Sequence, residues 1–365
     1  LSNLYHTWQY TQESMRGKSE LVKKNSANQT SSGLDRDYIT QWSYGIDETW
    51  TLLVPNTKGG ASVPLARNEK AMAKADPQFY EVYQQMGQYW GNQPGTSGPV
   101  YVGAFVFMLF ILGLFIVKGP MKWALFAATL LSVLLSWGRN FMWFTDLFLD
   151  YVPMYAKFRT VASILVIAEF TIPLLAMLAL KELLQNPQSL KEKVTVRERI
   201  VNFIFFTPLG AVATKRRDYL WISFVLSAGC AFLFAIMPTV FFPDYISSAE
   251  MNALKQIPSE YLGPLIANLR EVRISIFTAD CWRSFFIIVL GTAILLLALK
   301  KKLQTKYAVG AIVVLCLVDM WQVNKRYLND EMFVERSVRE TPQQETATDR
   351  QILQDHGKDY RVLNL

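Results

Sequence analysis

Apolar runs long enough to cross a bilayer alternate with polar loops, and this alternation restricts the fold more than any other feature. A lipid core offers the backbone no hydrogen-bond partners, so a crossing segment must be a helix of about 17–25 residues. The predicted spans lie near residues 99–117, 121–137, 160–180, 219–242, 283–299 and 307–323. The shortest apolar runs, Trp123–Trp137 and Tyr307–Val318, need flanking residues or a locally thinned bilayer. The pattern predicts an all-α polytopic membrane protein with about six transmembrane helices.

Every second loop is basic, and this asymmetry predicts the orientation of the chain. On one side, 14 Lys and Arg lie in the loops 118–122, 181–218 and 300–306. On the other side, the longer loops 138–159 and 241–283 contain 7. Loops rich in Lys and Arg stay in the cytoplasm. We therefore expect the first set of loops to be cytoplasmic and both ends of the chain to be extracytoplasmic.

The spans divide the chain into regions. Residues 1–98 form a predicted extracytoplasmic segment, and residues 99–320 form the transmembrane region. Within that region, 181–218 is a basic cytoplasmic loop and 241–283 is a helical extracytoplasmic loop. Residues 324–365 are expected to begin an extracytoplasmic soluble domain.

Local patterns add three expectations. Ser247 or Ser248 is a predicted N-cap, because a small hydroxyl residue precedes Glu250 at the start of a helical pattern. The apolar stretch 200–213 is too short for a comfortable span, so it is interpreted as interfacial or re-entrant. The final residues, 359–365, have the pattern of a strand at its beginning.

Composition excludes several classes of function. The net charge of +7 needs no nucleic-acid partner, because much of the basic excess faces anionic lipid. The chain lacks the nucleophile elbow, the dinucleotide fingerprint and the zinc motif of soluble enzymes. His6 and His356 lie at opposite ends of the chain, so they predict no metal site.

The short loop 138–159 contains the strongest cluster of charged residues. Arg139, Asp146, Lys157 and Arg159 lie there among aromatic residues, between two predicted spans. Guanidinium groups bind phosphate bidentately and an ammonium adds a point charge, so the loop suits a phosphate, and its expected ligand is a lipid phosphate or a sugar. The alternative is that these side chains reach the interface and pair with one another without a ligand.

Carboxylates supply two further candidates. Glu169 lies inside the span 160–180, four residues before Pro173. It either bonds the helix or lines a polar cavity for substrate, because a carboxylate in lipid needs a partner or a cavity. Asp35 and Asp37 form an Asp-x-Asp pair of the kind that holds a metal–diphosphate, although such a short motif is weakly specific.

Several strings, taken together and in this order, resemble one family. They are Tyr10–Gly17, Gly33–Tyr38, Trp42–Ile46, Pro55–Asn56 with Gly59–Gly60, Gln93–Val100, Phe158–Arg159 and Tyr360–Asn364. The family is that of the YfhO-type bacterial membrane proteins, and the likeness is closest to members from Bacteroidetes. It covers nearly the whole chain and implies that this chain is an interior fragment of a longer protein.

The resemblance implies a fold similar to the GT-C glycosyltransferases. Those multi-span enzymes transfer sugar from a polyprenyl-phosphate carrier outside the membrane, here the bacterial cytoplasmic membrane. Their catalytic carboxylate is expected upstream of Leu1, so no catalytic residue is assigned in this chain. Trp42 and Tyr44, with Trp50, are candidates for stacking on sugar rings. No cofactor is assigned, and a divalent metal is the one candidate.

Three functions remain open at this point. The first is a membrane glycosyltransferase that modifies a cell-envelope acceptor, with membrane lipid, sugar donor and acceptor as partners. The second is a transporter or flippase for a lipid-linked precursor, for which Glu169 and Pro173 in one span are suitable. The third is a non-catalytic envelope assembly factor. The long segment 1–98 favours the enzyme, because transporters seldom need such a segment.

Overall fold

Every regular element in the described part of the chain is a helix. The computed structural model describes residues 5–6, 9–11, 28, 30, 33–96, 98–206, 208–336 and 346–354. Contacts divide the chain into two units, Leu1–Tyr327 and Leu328–Leu365. The strand expected at 359–365 lies outside the described residues.

The α-helices are numbered here in chain order. They are α1 (Arg36–Thr40), α2 (Glu69–Met72), α3 (Tyr80–Gln85), α4 (Ala104–Ile116), α5 (Pro120–Ser136), α6 (Met142–Tyr151), α7 (Val166–Gln185), α8 (Val196–Phe205), α9 (Leu209–Val212), α10 (Arg216–Ile236, π-helical at Val225–Gly229), α11 (Pro238–Phe241), α12 (Ser248–Leu254), α13 (Ser259–Leu299), α14 (Thr305–Asn324) and α15 (Ala347–Leu353). Short 3₁₀ helices lie at Asp47–Leu52, Leu65–Arg67, Pro77–Phe79, Gly138–Phe141, Tyr155–Lys157, Val161–Leu165, Pro187–Lys191 and Asp330–Met332.

Several of these helices are long and apolar enough to cross a membrane. Within the described residues four qualify, namely Val161–Gln185, α10, α13 and α14. A fifth is added if α5 and Gly138–Tyr151, which meet at 107°, count as one broken span. The prediction of an all-α, multi-pass membrane protein is confirmed. The predicted span near 99–117 is the short helix α4.

Helix α4 lies at the centre of the bundle. It contacts α7, α10 and α13, and most of its residues are buried. Its sequence is apolar on every side, as expected of a helix surrounded by others. The 13 residues of α4 extend roughly 20 Å, which is less than the ~30 Å thickness of the hydrocarbon core. Buried, non-helical backbone at 101–103 leads into the helix.

Gly113 on α4 permits the close approach of α7. A Cβ atom at this position would lie 2.9 Å from Leu175 Cγ and 3.0 Å from the Leu175 carbonyl oxygen. We expect Gly113→Val to lower the free energy of unfolding by about 1–3 kcal/mol through overpacking. Gly310→Val on α14 is the matched control, because nothing lies within 4 Å of its added Cβ. Equal loss in the two variants would contradict close packing at Gly113, and chemical denaturation in detergent measures both.

The long helix α13 extends well beyond a bilayer. Its 41 residues span roughly 60 Å, about twice the hydrocarbon thickness. The N-terminal half packs against α2, α3 and α12 through a shared apolar cluster. The cluster comprises Leu65, Ala71, Phe79, Tyr83, Leu254, Leu265, Leu269, Val272 and Ile276. The region 241–283 is thus continuous with the span that follows it, and residues 64–86 are docked onto it.

A buried arginine ties the same region together. Arg273 of α13 is fully buried and donates to both carboxylate oxygens of Glu250 and to the carbonyl oxygens of Tyr245 and Gly87. Glu250 also completes a capping box with Ser247 at the start of α12. This confirms Ser247, rather than Ser248, as the N-cap.

Two ion pairs with buried carboxylates join α13 to the end of α14. Asp280 binds Arg326 through both carboxylate oxygens, at 2.5 and 2.8 Å. Arg283 lies 2.6 Å from Asp319, whose oxygens also accept from the Tyr101 hydroxyl at 2.9 Å. Buried charges need such partners, so these pairs fix the relative positions of α13, α14 and the entry to α4.

Candidate functional site

Helix α1 is attached to the bent pair α5–α6 by an ion-pair cluster. The Arg36 guanidinium lies 3.0 Å from Asp146 and 2.6 Å from Asp150, and its side chain is 19% exposed. The Leu34 amide also donates to the Ala156 carbonyl oxygen at 2.9 Å. Residues 34–40 of the N-terminal segment are therefore held against the loop 138–159. Asp146 neutralises Arg36 in this arrangement, so we expect Asp146 to position α1 rather than to bind a ligand.

An open cavity lies beside α1, and we call it the acidic cleft. Its volume is about 460 Å³, within the usual range of ligand sites. It is lined by Asn28, Asp35, Asp37, Tyr38, Thr40, Gln41 and Arg139. Asp35 and Asp37, which were predicted separately from Arg139, thus line the same cavity as that arginine.

Arg139 is positioned by the bend between α5 and α6. Gly138 has φ +46°, and a Cβ atom there would lie 2.1 Å from Ser43 Oγ, so the bend requires glycine. The Arg139 amide donates to Ser43 Oγ at 2.9 Å, and its guanidinium donates to the Asn92 carbonyl oxygen at 2.5 Å. The backbone of the arginine is fixed while its side chain stays exposed.

Another open cavity, which we call the amide cleft, is lined in part by Asn140, two residues after Gly138. It measures about 490 Å³ and is lined by Ile46, Asp47, Trp50, Asn92 and Asn140. Asn140 donates to the Tyr44 carbonyl oxygen at 2.8 Å and accepts from the Asn92 amide at 3.3 Å. The Trp50 ring is held edge-on to Phe234, with centroids 5.0 Å apart. Hydrogen-bonding amides and a fixed indole suit a polyhydroxylated ligand.

Arg159 reaches the acidic cleft through a lining residue. Its guanidinium donates to the Tyr38 hydroxyl at 2.7 Å and lies 5.3 Å from the centre of the Tyr38 ring. Arg139 therefore lines the acidic cleft directly, and Arg159 contacts it through Tyr38. Lys157, whose pKa is lowered by partial burial, lines neither cleft.

The other predicted residues lie elsewhere. Glu169 is half-buried on α7, and Trp42 is half-buried with its carbonyl oxygen bonded to the Ala162 amide; neither lines a cleft. Tyr44, another candidate for stacking on a sugar, is 3% exposed, so its ring has no open face in this structure. In the described ranges no three His, Cys, Asp or Glu side chains gather as a metal site would require.

A buried carboxyl group that sequence reasoning missed follows Asp47 of the amide cleft in the chain. Glu48 is 3% exposed, accepts from the Tyr89 hydroxyl at 2.7 Å and from the Gly45 amide at 3.1 Å. Burial raises the pKa of Glu48 above its ordinary value. The group borders an inner cavity with room for about one water, together with Tyr44 and Tyr327. Its neighbour Asp47 stays at the surface, paired with Lys58.

Glu48 should make stability depend on pH. Because its folded-state pKa is raised, it contributes stability below the ordinary pKa of 4.5, and this contribution is lost as pH rises through the folded-state pKa. We expect Glu48→Gln to raise the melting temperature relative to the unsubstituted protein more at neutral pH than at pH 4.5. The exposed Glu81→Gln variant is the control. Parallel pH profiles for the unsubstituted protein and Glu48→Gln would contradict the assignment.

Taken together, the bend at Gly138 places one arginine between a carboxylate-bearing cavity and an amide-bearing cavity. The described residues of these clefts offer one cation, Arg139, for a phosphate, carboxylates for a proton and amides for hydroxyl groups. A comparison of the chain with protein-family models, with curated proteins and with solved structures finds no match.

Proposed function

We propose that the two clefts bind a phosphate-linked sugar and that the protein is a membrane glycosyltransferase. The observation that carries this proposal is the position of Arg139 at the boundary between them, with its guanidinium bonded to a residue of the amide cleft. In this arrangement the phosphate binds Arg139 and Arg159, and the sugar ring lies toward Trp50, Asn92 and Asn140. Charge-assisted bidentate bonds favour arginine for a phosphate ligand.

The proposed reaction transfers the sugar to an acceptor hydroxyl. The hydroxyl oxygen forms a bond to the anomeric carbon, and the bond from that carbon to the phosphate oxygen breaks. The phosphate leaves with the electron pair, and the arginines stabilise its charge. The hydroxyl proton passes to a carboxylate acting as general base; Asp35 and Asp37 of the acidic cleft are our candidates, a role that the family resemblance does not assign to them.

Further proposals concern the setting of this site. The charge of the loops supports a cytoplasmic membrane location with the clefts on the extracytoplasmic side. The likeness to YfhO-type proteins supports a GT-C-like fold, a polyprenyl-phosphate donor and a cell-envelope acceptor. Six crossings are proposed if α4 and the broken pair α5–α6 each cross the bilayer.

The flippase alternative receives less support from the bundle. A lipid-linked precursor needs a polar path between helices. Among the described residues, Asp280 and Asp319 cannot line such a path as free carboxylates, because they are paired with Arg326 and Arg283. Glu169, half-buried on α7, is the residue that a flippase would use.

The test is a turnover measurement with the intact protein in proteoliposomes. A polyprenyl-phosphate sugar with a radiolabelled sugar is supplied together with envelope acceptor. Transfer of label to acceptor, or slow hydrolysis of the donor, is the expected result. An intact donor that changes leaflet would assign the protein to the flippases, and an intact, unmoved donor would leave the assembly-factor function.

A further inference from the structure

Helix α8 and the turn α9 present two opposite faces at the end of the bundle that holds the basic loops. One face is docked onto the helices. Asn202 is buried and donates to the Tyr219 hydroxyl at 2.7 Å, and Phe206 stacks on Trp123 with centroids 5.5 Å apart. Gly210 lets α9 approach closely, because a Cβ atom there would lie 2.9 Å from Asn202 Cβ. These contacts fix the segment as part of the folded unit.

The opposite face is apolar and uncovered. Val196, Ile200 and Ile204 recur every four residues along α8 and are 72%, 54% and 64% exposed. Val212 of α9 is 74% exposed. Residues two positions apart on a helix point about 200° apart, so this stripe lies opposite the buried Asn202. Soluble surfaces seldom carry a continuous apolar stripe of this kind, which marks a site of contact.

Basic residues border the apolar stripe. The backbones of Lys193 and Lys215 pair through an isolated antiparallel β-bridge, so their two exposed side chains extend from neighbouring backbone positions. Exposed Arg197 follows in the first turn of α8. The nearby carboxylates of Glu192 and Glu198 are both engaged by the buried Arg216, at 3.8 and 2.6 Å. The free charge beside the stripe is therefore positive.

The length of the segment limits what can cover it. Helix α8 has 10 residues and extends roughly 15 Å, half the thickness of a hydrocarbon core, so it cannot cross. The segment begins after α7 and ends before α10, both of which qualify as spans, so the membrane boundary passes beside it. A short helix with an apolar stripe and basic flanks at this boundary has the properties of an interfacial amphipathic helix.

We propose that α8 and α9 lie in the headgroup region of an anionic leaflet, with Val196, Ile200 and Ile204 inserted toward the acyl chains. Lys193, Arg197 and Lys215 then bind the phosphates of anionic lipids. This chooses the interfacial over the re-entrant interpretation of residues 200–213. It is independent of the proposed transferase activity, because it involves the other end of the bundle.

Lipid quenching tests this proposal in the intact protein. An environment-sensitive fluorophore is attached to Ile204→Cys, and to Gln188→Cys, an exposed polar position in the same loop, as the control. Labelled protein without either substitution corrects for Cys230, Cys281 and Cys316. In vesicles containing phosphatidylglycerol, nitroxides on the acyl chains should quench the label at 204 severalfold more than the label at 188, and iodide should do the reverse.

The charge requirement is measured with the triple variant Lys193→Gln, Arg197→Gln, Lys215→Gln. Each basic residue removed should lower the affinity of this surface for anionic lipid about fivefold, seen as weaker quenching at 204, and high salt should have a similar effect. Iodide access at 204 in anionic vesicles would overturn insertion. Protection from iodide without quenching by lipid nitroxides would assign the surface to a protein partner or a second copy. Insertion unchanged by charge or salt would overturn the role of anionic lipid.

Discussion

Arg283→Met should lower the free energy of unfolding by about 3–5 kcal/mol, because it leaves Asp319 buried without its cation. Asp319 is 2% exposed and has Arg283 at 2.6 Å as its ion-pair partner. Methionine retains much of the arginine stem, so the loss reports mainly on charge. Arg270→Met on the same helix is the control, because Arg270 is exposed and donates to a single carbonyl oxygen, that of Pro243. Thermal or chemical unfolding in detergent measures both variants.

A second substitution separates charge from packing in this experiment. Arg283→Met combined with Asp319→Asn removes both charges while keeping an oxygen for the Tyr101 hydroxyl. Replacing both members of a buried ion pair is often close to neutral, so the double variant should recover most of the stability lost in the single one. A double variant as unstable as Arg283→Met would show that packing, rather than the uncompensated carboxylate, sets the cost.

Arg139→Ala should lower the rate of sugar transfer about 10²-fold or more, the usual effect of removing one donor from a charged transition state. The fold should survive, because the exposed guanidinium bonds only the Asn92 carbonyl oxygen among described residues, while Ser43 holds the backbone. Arg139→Lys should restore part of the rate, since an ammonium supplies charge without the bidentate geometry. Arg270→Ala, outside both clefts, should retain full activity. Equal activity of Arg139→Ala and Arg270→Ala would remove Arg139 from the site.

The sequence predicted those parts of the fold that depend on local pattern. Apolar length is a property of one segment, and it correctly indicated helices that cross a membrane. The N-cap at Ser247 was likewise predictable, because Ser and Glu three residues apart satisfy each other's backbone amides. The length of α13 was not anticipated, although Leu265, Leu269, Val272 and Ile276 carry a helical apolar spacing into the span.

The clefts could not be predicted in the same way, because they depend on contacts between distant residues. Nothing in the sequence links Arg139 to Asp35 and Asp37. In the structure their two segments meet because Arg36 binds Asp146 and Asp150, more than 100 positions away. The 107° bend after α5 depends on Gly138, whose positive φ cannot be inferred from hydropathy. Glu48 looks like a surface residue beside Asp47, and only the packing of Tyr89 over it reveals its burial.

In the proposed function, the two clefts bind a phosphate-linked sugar. Photo-crosslinking of the intact protein in proteoliposomes can locate that sugar, with a polyprenyl-phosphate sugar that carries a diazirine on the sugar. Peptide mapping should locate the adducts in residues 35–50, at Asn92 or in residues 138–140, and Arg139→Ala should abolish them while Arg270→Ala does not. Adducts elsewhere in the chain, unaffected by Arg139→Ala, would contradict the account.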